Sequence, residues 1–112
     1  MRGTIKSKED VERLFSTGRR STSSSMTIIM CESDTSDLGR CAFIAGKKLG
    51  CAPLRSRCKR VMREVARELG APWKGYDIVF LARKGVAHED HEEVIRQVKR
   101  SLAKLGVVDE RS

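Results

Sequence analysis

Residues 54–67 read LRSRCKRVMREVAR and place six cations, Arg55, Arg57, Lys59, Arg60, Arg63 and Arg67, within fourteen positions. Guanidinium and ammonium groups at this density suit one chemistry above others, the binding of phosphate oxygens, with Arg acting as a planar fork and Lys as a point charge. Just upstream, GKKLG (Gly46 to Gly50) adds Lys47 and Lys48 between two glycines. It lacks the spacing and the Ser or Thr of a nucleotide-binding loop, and reads instead as a basic turn that touches phosphates. Between Lys47 and Arg67 there are eight bases and one acid, Glu64, so nearly all of the formal +8 charge sits in this segment.

A solvated helix face normally interleaves acids at i, i+4, which relieves repulsion. Here Arg55, Lys59, Arg63 and Arg67 form a row of like charge at that spacing, and Ser56 and Arg60 extend it around the outside. Each such pair is unfavourable by about 0.2 to 0.5 kcal/mol. An anionic partner that neutralises the row accounts for its persistence, and nucleic acid is the favoured class.

Other chemistries find less support. Cys31, Cys41, Cys51 and Cys58 contain no Cys-x-x-Cys pair, and only His88 and His91 are available as further soft ligands, so free thiols are expected rather than zinc or disulfides. Glu89, Asp90, Glu92 and Glu93 read as capping and dipole partners of a helix start. Phe15, Phe43, Trp73, Tyr76 and Phe80 are too few for a broad base-stacking platform. No nucleophile, base and orienting group fall together as a catalytic constellation. No apolar run approaches the roughly 18 residues of a membrane span, and MRGTIKSKED lacks the apolar core of a secretory signal. The expectation is one cytoplasmic domain covering residues 1–112.

The elements that must carry the basic row follow from periodicity. Ser7 and Asp10 form a capping box for a first helix, Val11, Leu14 and Phe15 give it one apolar face, and Gly18 stops it. Ser21 to Ser25 is a polar run, either a strand edge or a loop. MTIIM (Met26 to Met30) and RCAFIA (Arg40 to Ala45) read as strands joined by ESDTSDLG into an antiparallel hairpin. Pro53 marks the entry of the second helix, whose stripe is Leu54, Cys58, Val61, Met62, Val65, Ala66 and Leu69. Asp77 to Ala82 is almost unbroken apolar sequence, as in a central strand covered on both faces. A last helix starts near Asp90, capped with Glu93, and turns Val94, Ile95, Val98, Leu102 and Leu105 inward. Together these give an α+β fold, a small mixed sheet of about four strands packed with three helices.

The segment GKKLGCAPLRSRCKRVMRE, Gly46 to Glu64, also resembles the signature of the bacterial ribonuclease P protein component, in which a Lys-Lys-x-Gly turn leads into an Arg-Asn-Arg-x-x-Lys-Arg-x-x-Arg helix. The agreement covers Lys47, Lys48, Gly50, Ala52, Arg55, Arg57, Lys59, Arg60, Arg63 and Glu64. LFSTG (Leu14 to Gly18) and DIVFLARKG (Asp77 to Gly85) extend the similarity over nearly the whole chain. Two positions depart from the pattern. Ser56 stands where the family usually has asparagine, which shortens the reach and removes the two-ended amide, and Val11 stands where a phenylalanine is common.

The resemblance implies a left-handed strand, helix, parallel strand crossover through the basic helix, against the right-handed preference of about 98%. It implies a protein subunit that binds a catalytic RNA and the 5′ leader of precursor tRNA and assists Mg2+-dependent endonucleolytic removal of that leader. No catalytic group is then expected on this chain, and Mg2+ would be held mainly by the RNA and the substrate. Contacts to the catalytic RNA fall on Lys47, Lys48, Arg55, Ser56, Arg57, Lys59, Arg60, Arg63 and, one turn on, Arg67. A leader cleft between the first helix and the sheet would be lined by Phe15, Arg19 or Arg20, Met26 and Ile28. The implied partners are the two RNAs, with no obligate protein partner and no membrane. A ribosomal or other structural RNA-binding protein would share the charge; the ordered motif separates the two readings.

Overall fold

The computed structural model describes residues 8–32 and 39–108. The capping box at Ser7 and most of the ESDTSDLG connection lie outside them. Helix α1 spans Lys8–Thr17, strand β1 Arg19–Thr22, β2 Met26–Glu32 and β3 Arg40–Ile44. A 3-10 turn at Lys47–Leu49 leads into helix α2, Ala52–Glu68, followed by β4, Tyr76–Ala82, a single-turn helix α3, Gly85–His88, and α4, His91–Lys104.

The four strands form one mixed sheet in the order β1-β2-β4-β3. The expected hairpin between Met26–Met30 and Arg40–Ala45 is not formed. β4 lies between those two strands, antiparallel to β2 with Ile29 opposite Val79 and parallel to β3 with Ala42 opposite Val79. The physical reason lies in β4 itself: its run is apolar on both faces, so it is stable only in the sheet interior, and it displaces the pairing that chain adjacency favours. β3, α2 and β4 therefore make a strand, helix, parallel strand unit. The polar run resolves into strand β1 as far as Thr22 and then a turn in which Ser23 N–H and Oγ both donate to the Met26 carbonyl, at 3.0 and 3.1 Å.

Two apolar layers flank the sheet. On one side Met26, Ile28, Met30, Cys41, Ile78 and Phe80 meet α2 through Cys58, Met62, Val65 and Ala66, and α4 through Val94, Val98, Leu102 and Leu105. On the other side a smaller cluster of Leu14, Ile29, Ala42 and Val79, with Val11 and Phe15 packed against it, seats α1. The predicted helix stripes thus face these clusters, with Val11, Phe15, Leu54, Val61, Leu69 and Ile95 half-buried at their borders. At α4 the cap differs from expectation: Asp90 occupies the N-cap position with no side-chain cap hydrogen bond. Its neighbour Glu93 is drawn to Arg96 and Gln97, and Glu89 to Ser24 and Gln97. These bonds tie the β1–β2 turn to α4.

Asp77 is fully buried at the start of β4. Its carboxylate accepts from Arg40 Nε at 3.0 Å and Arg40 Nη2 at 2.7 Å, and Arg13 Nη2 of α1 lies 3.5 Å away. The Arg40 bonds are charge-assisted and tie β3 to β4, and the longer Arg13 contact reaches the same carboxylate from α1, which packs on β2 and β4.

Candidate nucleic-acid interface

The basic segment folds as its pattern requires. Gly50 has φ of 136°, a conformation that side chains rarely adopt, and a Cβ there would come within 2.9 Å of Leu54 Cδ2. It closes the 3-10 turn and redirects the chain to Cys51, the extended N-cap of α2, with Pro53 in the first turn where a missing N–H is harmless. No acid lies in that first turn. Lys47 and Lys48 are exposed beside the positive end of the α2 dipole.

Along α2, Ser56, Arg57, Arg60, Arg63 and Arg67 are exposed, and Arg55 and Lys59 are half-buried at the border of the apolar stripe. None of these cations, nor Lys47 or Lys48, has a carboxylate within ion-pair distance among the described residues. Arg55 Nε is buried and has no hydrogen-bond partner among those residues. A buried donor in that state is unfavourable until an acceptor arrives. Arg63 lies over the ring of Phe43, 5.7 Å from its centroid. Arg55, Lys59, Arg63 and Arg67 thus run as one row along α2, with Ser56 and Arg60 beside it and Arg57 farther round the exposed side, and Lys47 and Lys48 precede the helix in the turn.

The cleft residues divide differently. In the sheet, directly opposed residues share a side, so the α1 side carries Arg20, Thr22, Thr27, Ile29, Val79, Leu81, Ala42 and Ile44. Phe15 is half-buried against it, and Arg20 Nη2 donates to the Phe15 carbonyl at 2.8 Å, satisfying an open carbonyl in the last turn of α1. Met26 and Ile28 do not line this cleft. They are buried at 1% and 0% on the opposite side, under α2 and α4, because the two-residue period of β2 turns every even position there. Arg19, opposite Met30, also falls on the far side, which leaves Arg20 as the cation of the cleft.

Beyond the part covered by Leu14, the row Thr22, Thr27, Leu81 and Ile44 is half-buried or exposed and forms an open floor beside Phe15. Thr27, Leu81 and Ile44 were not singled out by sequence reasoning. Their alternation was visible, but which alternate set faces α1 was not. All four cysteines are free, with Cys41 and Cys58 buried, Cys31 intermediate and Cys51 exposed. His88 and His91 are exposed, and His91 Nε2 meets Glu68 Oε2 at 2.9 Å. Among the described residues no group of three or more His, Cys, Asp or Glu is placed to hold a metal ion, and no helix is long and apolar enough to cross a membrane.

Fold and surface together define a small α+β protein with a densely cationic helix, without carboxylate partners among the described residues, on one side of its sheet and a half-apolar surface beside α1 on the other. The family model for ribonuclease P matches residues 2–106. A ribonuclease P protein component from Gluconacetobacter diazotrophicus is 30% identical over 105 residues, covering 92% of this chain and 90% of the relative. One from Streptococcus mutans is 34% identical over 103 residues, covering 90% and 86%. In three dimensions the chain is similar to the Staphylococcus aureus RNase P protein, with a TM-score of 0.82 at 23% identity over 96% of this chain and 98% of that one. The Thermotoga maritima RNase P protein gives 0.75 at 23% identity over 99% and 98%. The chain belongs to the ribonuclease P protein family.

Proposed function

We propose that this chain is the protein subunit of a ribonuclease P holoenzyme, which removes the 5′ leader of precursor tRNA by endonucleolytic cleavage in the cytoplasm. The observation that carries this reading is the separation of two unlike surfaces, a cationic face with no carboxylate partners among the described residues and a cleft with one half-buried aromatic ring. The face of Lys47, Lys48, Arg55, Ser56, Arg57, Lys59, Arg60, Arg63 and Arg67 suits the phosphates of a folded catalytic RNA. The cleft suits single-stranded RNA, because Phe15 offers a ring for one base and Arg20 a charge for its phosphate.

In this reading the chain binds and orients, and bond cleavage belongs to the RNA. Mg2+, held by RNA and substrate phosphates, would supply the activation of water and of the leaving oxygen. The test is cleavage of a precursor tRNA by protein alone, catalytic RNA alone, and both at low Mg2+. Strong cleavage only with both is expected. Cleavage by protein alone, or no gain from adding it, would overturn the reading.

A further inference from the structure

β1 ends the sheet, and of its two cations one, Arg19, is used by neither the α2 face nor the cleft. Arg20 points with the cleft, whereas its neighbour Arg19, opposite Met30, lies on the side of α4. α4 crosses β1 antiparallel: Ser25 at the turn donates to Gln97 at 2.8 Å, and Ser21 Oγ donates to Ser101 Oγ at 3.2 Å. Following β1 two residues back from Ser21 to Arg19 therefore leads toward the last turns of α4. Residues 94–108 contain Arg96, Lys99, Arg100 and Lys104 and no acid.

Arg96, Arg100 and Lys104 are exposed and succeed one another at i, i+4, i+8, the same like-charge spacing that marks α2. Arg96 is paired with Glu93. Arg19, Arg100 and Lys104 have no carboxylate within ion-pair distance among the described residues. The dipole of α4 favours cations in its last turn and accounts for Lys104. It does not account for Arg19 on a strand, or for a repulsive row that begins two turns earlier.

The patch adjoins the cleft across a single strand. Arg20 and Arg19 are chain neighbours on opposite sides of β1, and among the described residues no strand lies beyond that edge. The α2 cations, in contrast, stand over the other half of the sheet, where α2 packs on β3 and β4. We propose that Arg19, Arg100 and Lys104 form a further RNA-binding surface, occupied by the distal part of a single-stranded leader after it passes over the β1 edge. The proposal rests on the assignment of the cleft to the leader. Contacts of this kind hold phosphates without reading bases, so the surface senses leader length and not leader sequence.

The experiment measures binding of the assembled holoenzyme to precursor tRNAs with unstructured leaders of about four and about twelve nucleotides, the range of short single-strand sites, and to mature tRNA. Wild-type protein should bind the long leader more tightly than the short one. The variant Arg100→Ala/Lys104→Ala should lose that increment, with the log K against log salt slope for the long leader flattening by about 0.7 per lost contact. Its short-leader affinity and its assembly with the catalytic RNA should stay unchanged, and Arg100→Lys/Lys104→Arg should restore the increment. An equal loss for both leaders, a loss of assembly, an unchanged increment, or no length effect in the wild type would each overturn the proposal. If the short leader itself gives no advantage over mature tRNA, it is the assignment of the cleft that fails.

Discussion

Arg63 rests on Phe43, its guanidinium carbon 5.7 Å from the ring centroid, and that same ring stacks on Phe80 at 5.1 Å and 10°. A core aromatic pair thus reaches up to hold a cation of the proposed RNA face in one orientation. Phe43→Leu keeps the apolar contact with Phe80 but removes the cation–π partner, worth about 0.5 to 1 kcal/mol at an exposed site. Affinity for the catalytic RNA should fall by a few-fold. In an Arg63→Ala background the same substitution should have no further effect. Additive losses in this double-mutant cycle would show that Phe43 serves packing alone.

The two surfaces should separate in binding assays. Arg60→Ala/Arg63→Ala should weaken holoenzyme assembly and flatten its salt slope by roughly 0.7 to 0.9 per lost phosphate contact, with little effect on leader recognition by complexes that do form. Phe15→Ala should leave assembly intact and reduce preference for precursor over mature tRNA by about 1 to 3 kcal/mol, the contribution of one stacked base. The opposite pattern would mean that the surfaces have been exchanged.

The basic face was legible in the sequence because the signal was local: a glycine turn, a proline in the first helical turn, and an i, i+4 row all lie within one short segment. Helix stripes were legible for the same reason. The sheet order was not, since nothing local in Met26–Met30 or Arg40–Ile44 reveals that β4, far along the chain, will insert between them. Placing Met26 and Ile28 in the cleft failed at the same level. Alternation separates β2 into two sets, yet both contain large apolar residues, and only the seating of Leu14 on Ile29 and Val79 decides which set meets α1. Asp77 was read simply as the start of a strand; its role appears only once Arg40 and Arg13 converge on it.

That convergence gives a stability prediction. Asp77 is fully buried, but its partners reach water, with side-chain exposures of 32% for Arg40 and 54% for Arg13. Removing the carboxylate therefore strands no fully buried charge, and the loss is that of the charge-assisted hydrogen bonds. Asp77→Ala should cost about 2 to 3 kcal/mol in urea unfolding. A loss under 0.5 kcal/mol would mean that the cluster adds little to the stability of the fold.

Like-charge repulsion over Lys47 to Arg67 implies that anions stabilise the isolated protein. Sulfate or phosphate bound to the native face shifts unfolding by RT ln(1 + [L]/Kd). The melting midpoint should be higher in sulfate than in chloride at matched ionic strength, and Arg60→Ala/Arg63→Ala should shrink the difference. Because sulfate also strengthens apolar burial in general, only the part of the shift lost in the variant reports the face. An unchanged shift in the variant would assign the whole effect to burial.

Cys41 supplies a pH dependence with a defined sign. Its thiol is buried on β3, and burial first, then the negative charge of Asp77, pushes its pKa from the ordinary 9.0 up to about 12. Between those values the thiol stays protonated in the folded protein and ionises in the unfolded chain. The unfolded state then binds fewer protons, so the stability that Cys41 contributes is fully present below pH 9 and is lost as pH rises toward 12. At its steepest the loss is one proton's worth, about 1.4 kcal/mol per pH unit. Cys41→Ala should be less stable than wild type near neutrality, because it leaves a small void, yet its stability should decline less steeply above pH 9. Urea unfolding of both proteins across that window measures the two slopes. Lysine and tyrosine ionisation is common to both and cancels in the difference. Parallel curves would show that Cys41 ionises as readily in the fold as in the unfolded chain.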